Sequence, residues 1–151
     1  MRNSIQSILF GAAVSLPLLT AGSEARATIA GANVDFHGGL QFHFIEGATP
    51  GSQINWQATA KATAYYICRV TFRPEPPHQR VMGRTGTSTA NAAGQVDVVI
   101  RIAPPPPTPQ MFGMCPPSQL KLRRVEYRDI HVTSNAGNHH FAGPVSRNLA
   151  F

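Results

Sequence analysis

The chain reads as a small all-β sandwich with one disulfide, following an N-terminal export signal. Three observations point there. Several segments alternate apolar and polar residues with period two, glycine- and proline-rich stretches separate them, and no amphipathic helix of normal length interrupts them. Helices and sheets must bury an apolar face against a partner layer, so five to eight short strands without helices pack most economically as two facing sheets.

The N-terminus has the three parts of a cleavable signal peptide. Met1 to Ser7 carry one cation, Arg2, and an apolar stretch follows from Ile8 to Leu19. That stretch is far shorter than the roughly 20 apolar residues needed to cross a bilayer. Ala25-Arg26-Ala27 then places small side chains three and one residues before Thr28, as signal peptidase requires. We therefore assign residues 1–27 to the signal, with Ser23/Glu24 and Ala30/Gly31 as alternative cuts, and residues 28–151 to a single β-sandwich domain. The implied location is periplasmic or secreted, with no transmembrane segment left after cleavage.

Within that domain, Val34, Phe36, Leu40, Phe42 and Phe44 alternate with polar residues around Gly38-Gly39. A two-residue turn at the glycines would put the two apolar sets on opposite faces, so the spacing predicts a three-residue turn or a glycine-kinked single strand. From Ile54 to Phe72 the even positions are apolar and the odd ones largely polar. One strand of that length would extend about 60 Å, so it must bend or break. The alanine-rich middle around Lys61 is the predicted weak point. Val96, Val98, Ile100 and Ile102 form a third run, which stops at Pro104-Pro105-Pro106-Pro107, predicted to be an exposed polyproline segment. In Leu120 to Val132 the apolar residues change parity between Leu122 and Val125 and again before Ile130, the mark of a strand with bulges. Val145, Arg147, Leu149 and Phe151 outline a last edge strand. Gly47–Ser52, Pro74–His78, Gly83–Gly94 and Pro104–Pro117 read as loops.

Charge and cysteine content bound the function. Removing Arg2, Arg26 and Glu24 from 13 cations and 7 acids leaves 11 against 6, a net of +5. Nine of those cations are arginine, whose planar fork pairs with carboxylate and phosphate groups. Anionic partners follow, and export argues against nucleic acid as the natural one. Cys68 and Cys115 are the only cysteines. In an oxidising compartment an isolated pair forms a structural disulfide, and without a Cys-x-x-Cys motif a thiol-redox role is disfavoured.

Two constellations carry candidate chemistry. Arg69 and Arg73 alternate on one strand face and Lys121, Arg123, Arg124 and Arg128 cluster farther on, a candidate patch for phosphate or carboxylate groups of a cell-surface polymer. His139 and His140, with Met111 and Met114 beside Cys115, offer imidazole and thioether ligands of the kind copper prefers. Adjacent histidines chelate one ion together only from a loop, which Asn135 to Asn138 predicts. Six scattered carboxylates and the absence of a Gly-x-Ser-x-Gly, His-Glu-x-x-His or phosphate-loop motif give no catalytic residues and imply no cofactor.

Ala64-Tyr65-Tyr66-Ile67-Cys68 resembles the Tyr-x-Cys strand of immunoglobulin domains over five residues, although no earlier cysteine exists to pair with it. The predicted sandwich is immunoglobulin-like only in this loose architectural sense. An exported β-domain with one disulfide and an apolar final strand also resembles subunits of bacterial surface fibres, but the penultimate residue is Ala150 where those tend to carry tyrosine. The expected function is that of a non-catalytic envelope or extracellular protein that binds or assembles with cell-surface components, anionic polysaccharide or protein. The alternative is a periplasmic copper-binding protein.

Overall fold

The polar–apolar alternation resolves into eight strands in a computed structural model that describes residues 27–109 and 115–150. They are β1 (Thr28–Val34), β2 (Leu40–Gly47), β3 (Gln53–Cys68), β4 (His78–Thr89), β5 (Gln95–Ile102), β6 (Leu120–Ser134), β7 (Gly137–Phe141) and β8 (Val145–Asn148). A three-stranded sheet in the order β1-β2-β5 packs on a larger sheet in the order β4-β3-β6-β7, with β8 also paired to β6. All pairings of named strands are antiparallel. The predicted signal peptide falls on residues 1–26, outside the described residues, apart from Ala27; the preferred cut lies where β1 begins.

The long alternating run is one strand, with no break at its alanines. Ala58, Ala60, Ala62 and Ala64 are all buried, in one case after another at 1% exposure or less. They bury little area themselves, but they leave a shallow trough on β3. Leu40, Phe42 and Phe44 of β2 and Tyr127 of β6 belong to the same core and supply the missing volume. Large side chains opposite small ones reach the close packing of protein interiors. The run ends at Cys68, and Val70 and Phe72 leave the alternation for an exposed turn.

Both parity changes in the β6 sequence are bulges. Tyr65 pairs with Arg124 and Tyr66 with Leu122, so Arg123 is an extra residue; Thr59 pairs with His131 and Lys61 with Arg128, so Asp129 and Ile130 face Ala60 alone. Each inserted residue switches the side of the sheet to which the next apolar side chains point. Val125, Tyr127, Ile130 and Val132 therefore all reach the core.

The β1–β2 connection is neither a three-residue turn nor a kinked continuous strand: it covers the five residues Asp35 to Gly39, with Val34 opposite Leu40, an odd length that still keeps both apolar sets on one face. Asp35 Oδ1 accepts hydrogen bonds from the backbone N–H of His37 and of Gly39, both at 2.9 Å. Gly38 sits at φ 86°, and a Cβ there would lie 2.6 Å from Leu122, so both backbone shape and space require glycine. Tyr127 donates its hydroxyl to the Gly38 carbonyl at 2.8 Å, and burial pushes that phenol well above its ordinary pKa. Phe36, counted with the alternating run, instead projects from this turn into solvent.

Three further expectations are corrected. His78–Thr89, most of it read as loop, is a 12-residue edge strand, and only the segment around Asn91 to Gly94 turns. Its glycine at position 86 lies beneath Trp56, where a Cβ would come within 2.3 Å of the indole; the indole N–H reaches Ser88 Oγ at 3.0 Å. Pro105 is buried, not exposed, because its carbonyl accepts the Tyr66 hydroxyl at 2.6 Å. Residues 137–141 form a strand where a loop was predicted. The last strand stops at Asn148.

The small sheet is tied to the large one along both rims. Arg147 Nη1 of β8 donates to the Val34 carbonyl of β1 at 3.1 Å, and Arg84 Nη1 of β4 donates to the Arg101 carbonyl of β5 at 3.3 Å. Inside, the carboxyl of Glu46 on β2 accepts the Ser134 hydroxyl of β6 at 2.8 Å. Cys68 and Cys115 are disulfide-bonded, with Cα atoms 5.8 Å apart. Among the described residues no helix is long and apolar enough to cross a membrane.

Candidate functional site

The outward face of the larger sheet gathers most of the predicted cationic residues. Because the β3–β6 register places Ile67 opposite Lys121, Tyr65 opposite Arg124, Thr63 opposite Glu126 and Lys61 opposite Arg128, these residues share one side. Residues two apart along a strand are about 7 Å apart, so the cations form a row along β6. Glu126 interrupts it. Its carboxylate takes hydrogen bonds from Arg124 Nη2 at 3.2 Å and from Arg128 Nε, and this contact raises the Arg128 pKa above its ordinary value. The Arg124 guanidinium also lies over the Tyr65 ring, 5.5 Å from its centroid. Arg124 and Arg128 thus carry an internal carboxylate with which any external anion must compete.

A groove of about 470 Å³ runs beside this row, lined by Lys61, Tyr65, Arg80, Glu126 and Arg128 among others. Lys61 and Arg80 were absent from the predicted set. Strand pairing brings Lys61 to Arg128, whereas Arg80 pairs with buried Ala62, so its position belongs to the inward side of β4 and it borders the groove from the sheet edge. The signal for Lys61 was present in the sequence, since it occupies an outward position of the long alternating run.

At the Cys68 end, Arg69 and Arg123 line a second recess of about 340 Å³ with Ile67, Cys68 and Phe72. The β6 bulge puts Arg123 there. The turn is held by hydrogen bonds from the Phe72 N–H to the Cys68 carbonyl, 2.8 Å, from the Cys68 N–H to the Arg73 carbonyl, 3.1 Å, and from the Arg69 N–H to the Gln119 carbonyl, 2.9 Å. Arg73 closes the turn and is exposed. Of the predicted set, Arg69, Lys121, Arg123, Arg124 and Arg128 therefore follow one face and its end, with Arg73 at the tip.

The second bulge aims a carboxylate. Asp129 adopts φ 49°, in the left-handed region, and its Oδ2 meets Lys61 Nζ at 2.8 Å while Oδ1 lies 3.8 Å from His140 Nε2. The hydrogen bond from Lys61, followed by its positive charge, holds the Asp129 carboxyl below the ordinary aspartate range. A carboxyl depressed on folding adds stability at neutral pH, and that contribution disappears as pH falls through the folded-state pKa. Lys61→Met is expected to move the Asp129 titration up toward the ordinary value of about 3.9. A carboxyl NMR titration of the two proteins checks it, and an unchanged midpoint would show that Lys61 does not hold the group.

The two histidines of the predicted copper set do not come together. His139 and His140 are on β7, not in a loop, and neighbouring residues of a strand point to opposite faces. His139 packs toward Phe44, with ring centroids 5.7 Å apart, whereas His140 stacks on His131 outside at 4.3 Å. The pair therefore cannot chelate one ion together. Met111 and Met114 lie outside the described residues. Among the described residues no three His, Cys, Asp or Glu side chains are grouped to hold a metal ion. No protein-family model matches the chain, and a search of curated proteins finds no match.

Proposed function

We propose that this is a non-catalytic exported protein, freed of residues 1–27, whose larger sheet binds anionic groups of a cell-surface component. The observation that supports it is the cationic row of β6, Lys121, Arg123, Arg124 and Arg128, extended by Arg69 and Lys61 from β3 and its turn. A row of guanidinium forks at strand spacing suits a linear polymer that repeats phosphate, sulfate or carboxylate groups. A disulfide and a sandwich of two sheets accord with life in an oxidising compartment.

Retention on immobilised dextran sulfate tests the reading, and the internal carboxylate gives it a sign. Replacing Lys121, Arg124 and Arg128 together by alanine is expected to weaken binding about tenfold or more, since a tenfold change needs only about 1.4 kcal/mol. Glu126→Gln, which frees the two guanidinium groups from their carboxylate, is expected to strengthen it several-fold. Binding should fall steeply with salt. Retention that ignores ionic strength, or a Glu126→Gln protein that binds less well, would count against this face.

A further inference from the structure

We propose that the Cys68 end of the sandwich docks on an anionic phospholipid bilayer, with Phe36, Val70 and Phe72 entering the headgroup layer. This rests on the reading of the adjacent cationic face as an anion site, because Arg69, Arg73 and Arg123 belong to both.

Of the five exposed large apolar side chains described, Val81 and Val99 stand singly on β4 and β5, and the other three are grouped. Phe36, Val70 and Phe72 are 71%, 64% and 78% exposed, more than any other large apolar side chain described. All three stand at one end. Leu122 pairs with Tyr66 and packs against Gly38, which places the Asp35–Gly39 turn beside the last residues of β3. Tyr66 in turn bonds to Pro105, just beyond Ile102, the partner of Leu40. Phe36 therefore projects from the same end as the turn of residues 69–73.

Single exposed apolar residues need no explanation, but a group of them ringed by cations does. An anionic polymer in solution would account for Arg69, Arg73 and Arg123 and would leave the three apolar side chains in water. A bilayer accounts for both, since its interface takes apolar side chains while its phosphates attract arginine. Of the acids at this end, Asp35 is engaged within its own turn by the amides of His37 and Gly39, and Glu75 shares a recess with Arg123 and Arg124 away from the three apolar side chains. Phe72 is also held out deliberately. Its backbone lies at φ 52°, a conformation rare for a bulky residue, kept by the bonds of the turn and by the disulfide at Cys68. A preformed apolar tip loses little conformational freedom on insertion.

The test is sedimentation of the purified protein with vesicles of phosphatidylcholine alone and of phosphatidylcholine with one third phosphatidylglycerol. Binding is expected only to the anionic vesicles. The variant carrying Phe36→Ser and Val70→Ser is expected to lose about tenfold or more of that binding while keeping its retention on dextran sulfate. In a second variant, Phe72→Trp, the added indole should shift to shorter emission wavelength on anionic vesicles, above a constant signal from buried Trp56. A double-serine variant that binds vesicles as well as the parent, or a Phe72→Trp emission that vesicles leave unchanged, would overturn the proposal. So would a parent protein that dextran sulfate retains but anionic vesicles do not; the anion site would then stand without the membrane. Failure to bind either would remove the anion site as well. Self-association abolished by the serine substitutions, without vesicle binding, would assign the tip to a second copy and overturn the proposal too.

Discussion

Replacing Cys68 and Cys115 together by alanine is expected to lower the unfolding free energy by about 4 kcal/mol. The two residues are 47 apart in sequence. Closing a loop of that length restricts the unfolded chain by about 4 kcal/mol in the chain-entropy description. For a domain whose total stability is of the order of 5–15 kcal/mol, that is a large share. The bond also has a local part. It fastens the last residue of β3 to the segment that leads into β6, so it fixes the turn that presents Arg69 and Phe72. Urea unfolding of the oxidised parent and of the double variant measures the global effect, and a difference below about 1 kcal/mol would show that the unfolded chain gains little freedom from the loss. Dextran sulfate retention of the still-folded variant measures the local one.

Phe42→Ala is expected to cost about 3–5 kcal/mol, the range for truncating a fully buried aromatic side chain. The upper part of that range applies because of what faces it. The cost of a cavity depends on how far the surroundings can collapse into it, and the core that Phe42 shares with Ala58, Ala60 and Ala62 has little to offer. Alanine has no side-chain torsion with which to reach inward, and β3 is held on both sides, by β4 and by β6. Thermal or urea unfolding of the single variant checks the figure. A loss below about 1.5 kcal/mol would mean that β2 and β3 approach each other to fill the space.

The same trough explains why the sequence misled at the centre of β3. Alanine at successive inward positions looks like a weak strand when each side chain is counted alone. Its burial is decided by Leu40, Phe42 and Phe44, which belong to another sheet. The bulges of β6 were legible for the opposite reason: an inserted residue changes the parity of every residue after it, and that change is written in one segment. β4 was missed because its inward positions are occupied by His78, Arg80, Met82, Arg84, Gly86 and Ser88, among which Met82 alone is a large apolar residue, so no apolar alternation shows. Gly86 makes sense only once Trp56 lies over it. The regular spacing of Thr85, Thr87 and Thr89 was the remaining strand signal.

Legibility of the candidate site divides in the same way. Lys121, Arg124 and Arg128 are close in sequence and share a face of one strand, so they could be grouped by inspection. Lys61 joins them through pairing between strands, which local spacing does not encode. The pairing of Glu126 with two arginines was foreseeable as a local ion pair. The separation of His139 from His140 depended on whether residues 137–141 form a loop or a strand, and five residues with two adjacent histidines carry too little pattern to decide it.

The edge of β6 opposite β3 is shared by two short strands that do not pair with each other in the sheet. β7 takes Ile130 to Ser134, β8 takes Arg124 to Tyr127, and the Asp129 bulge lies between them. In hydrogen-exchange terms, this edge consists of two segments that open separately: release of β8 leaves the β7 ladder intact, and the reverse also holds. The two openings differ in reach. When β8 leaves, Arg147 withdraws from the Val34 carbonyl, and β1 loses its tie to the other sheet. Departure of β7 removes its ladder to β6 and the cover of His139 over Phe44. One backbone irregularity thus converts what would be a single cooperative edge into two, each guarding a different part of the smaller sheet.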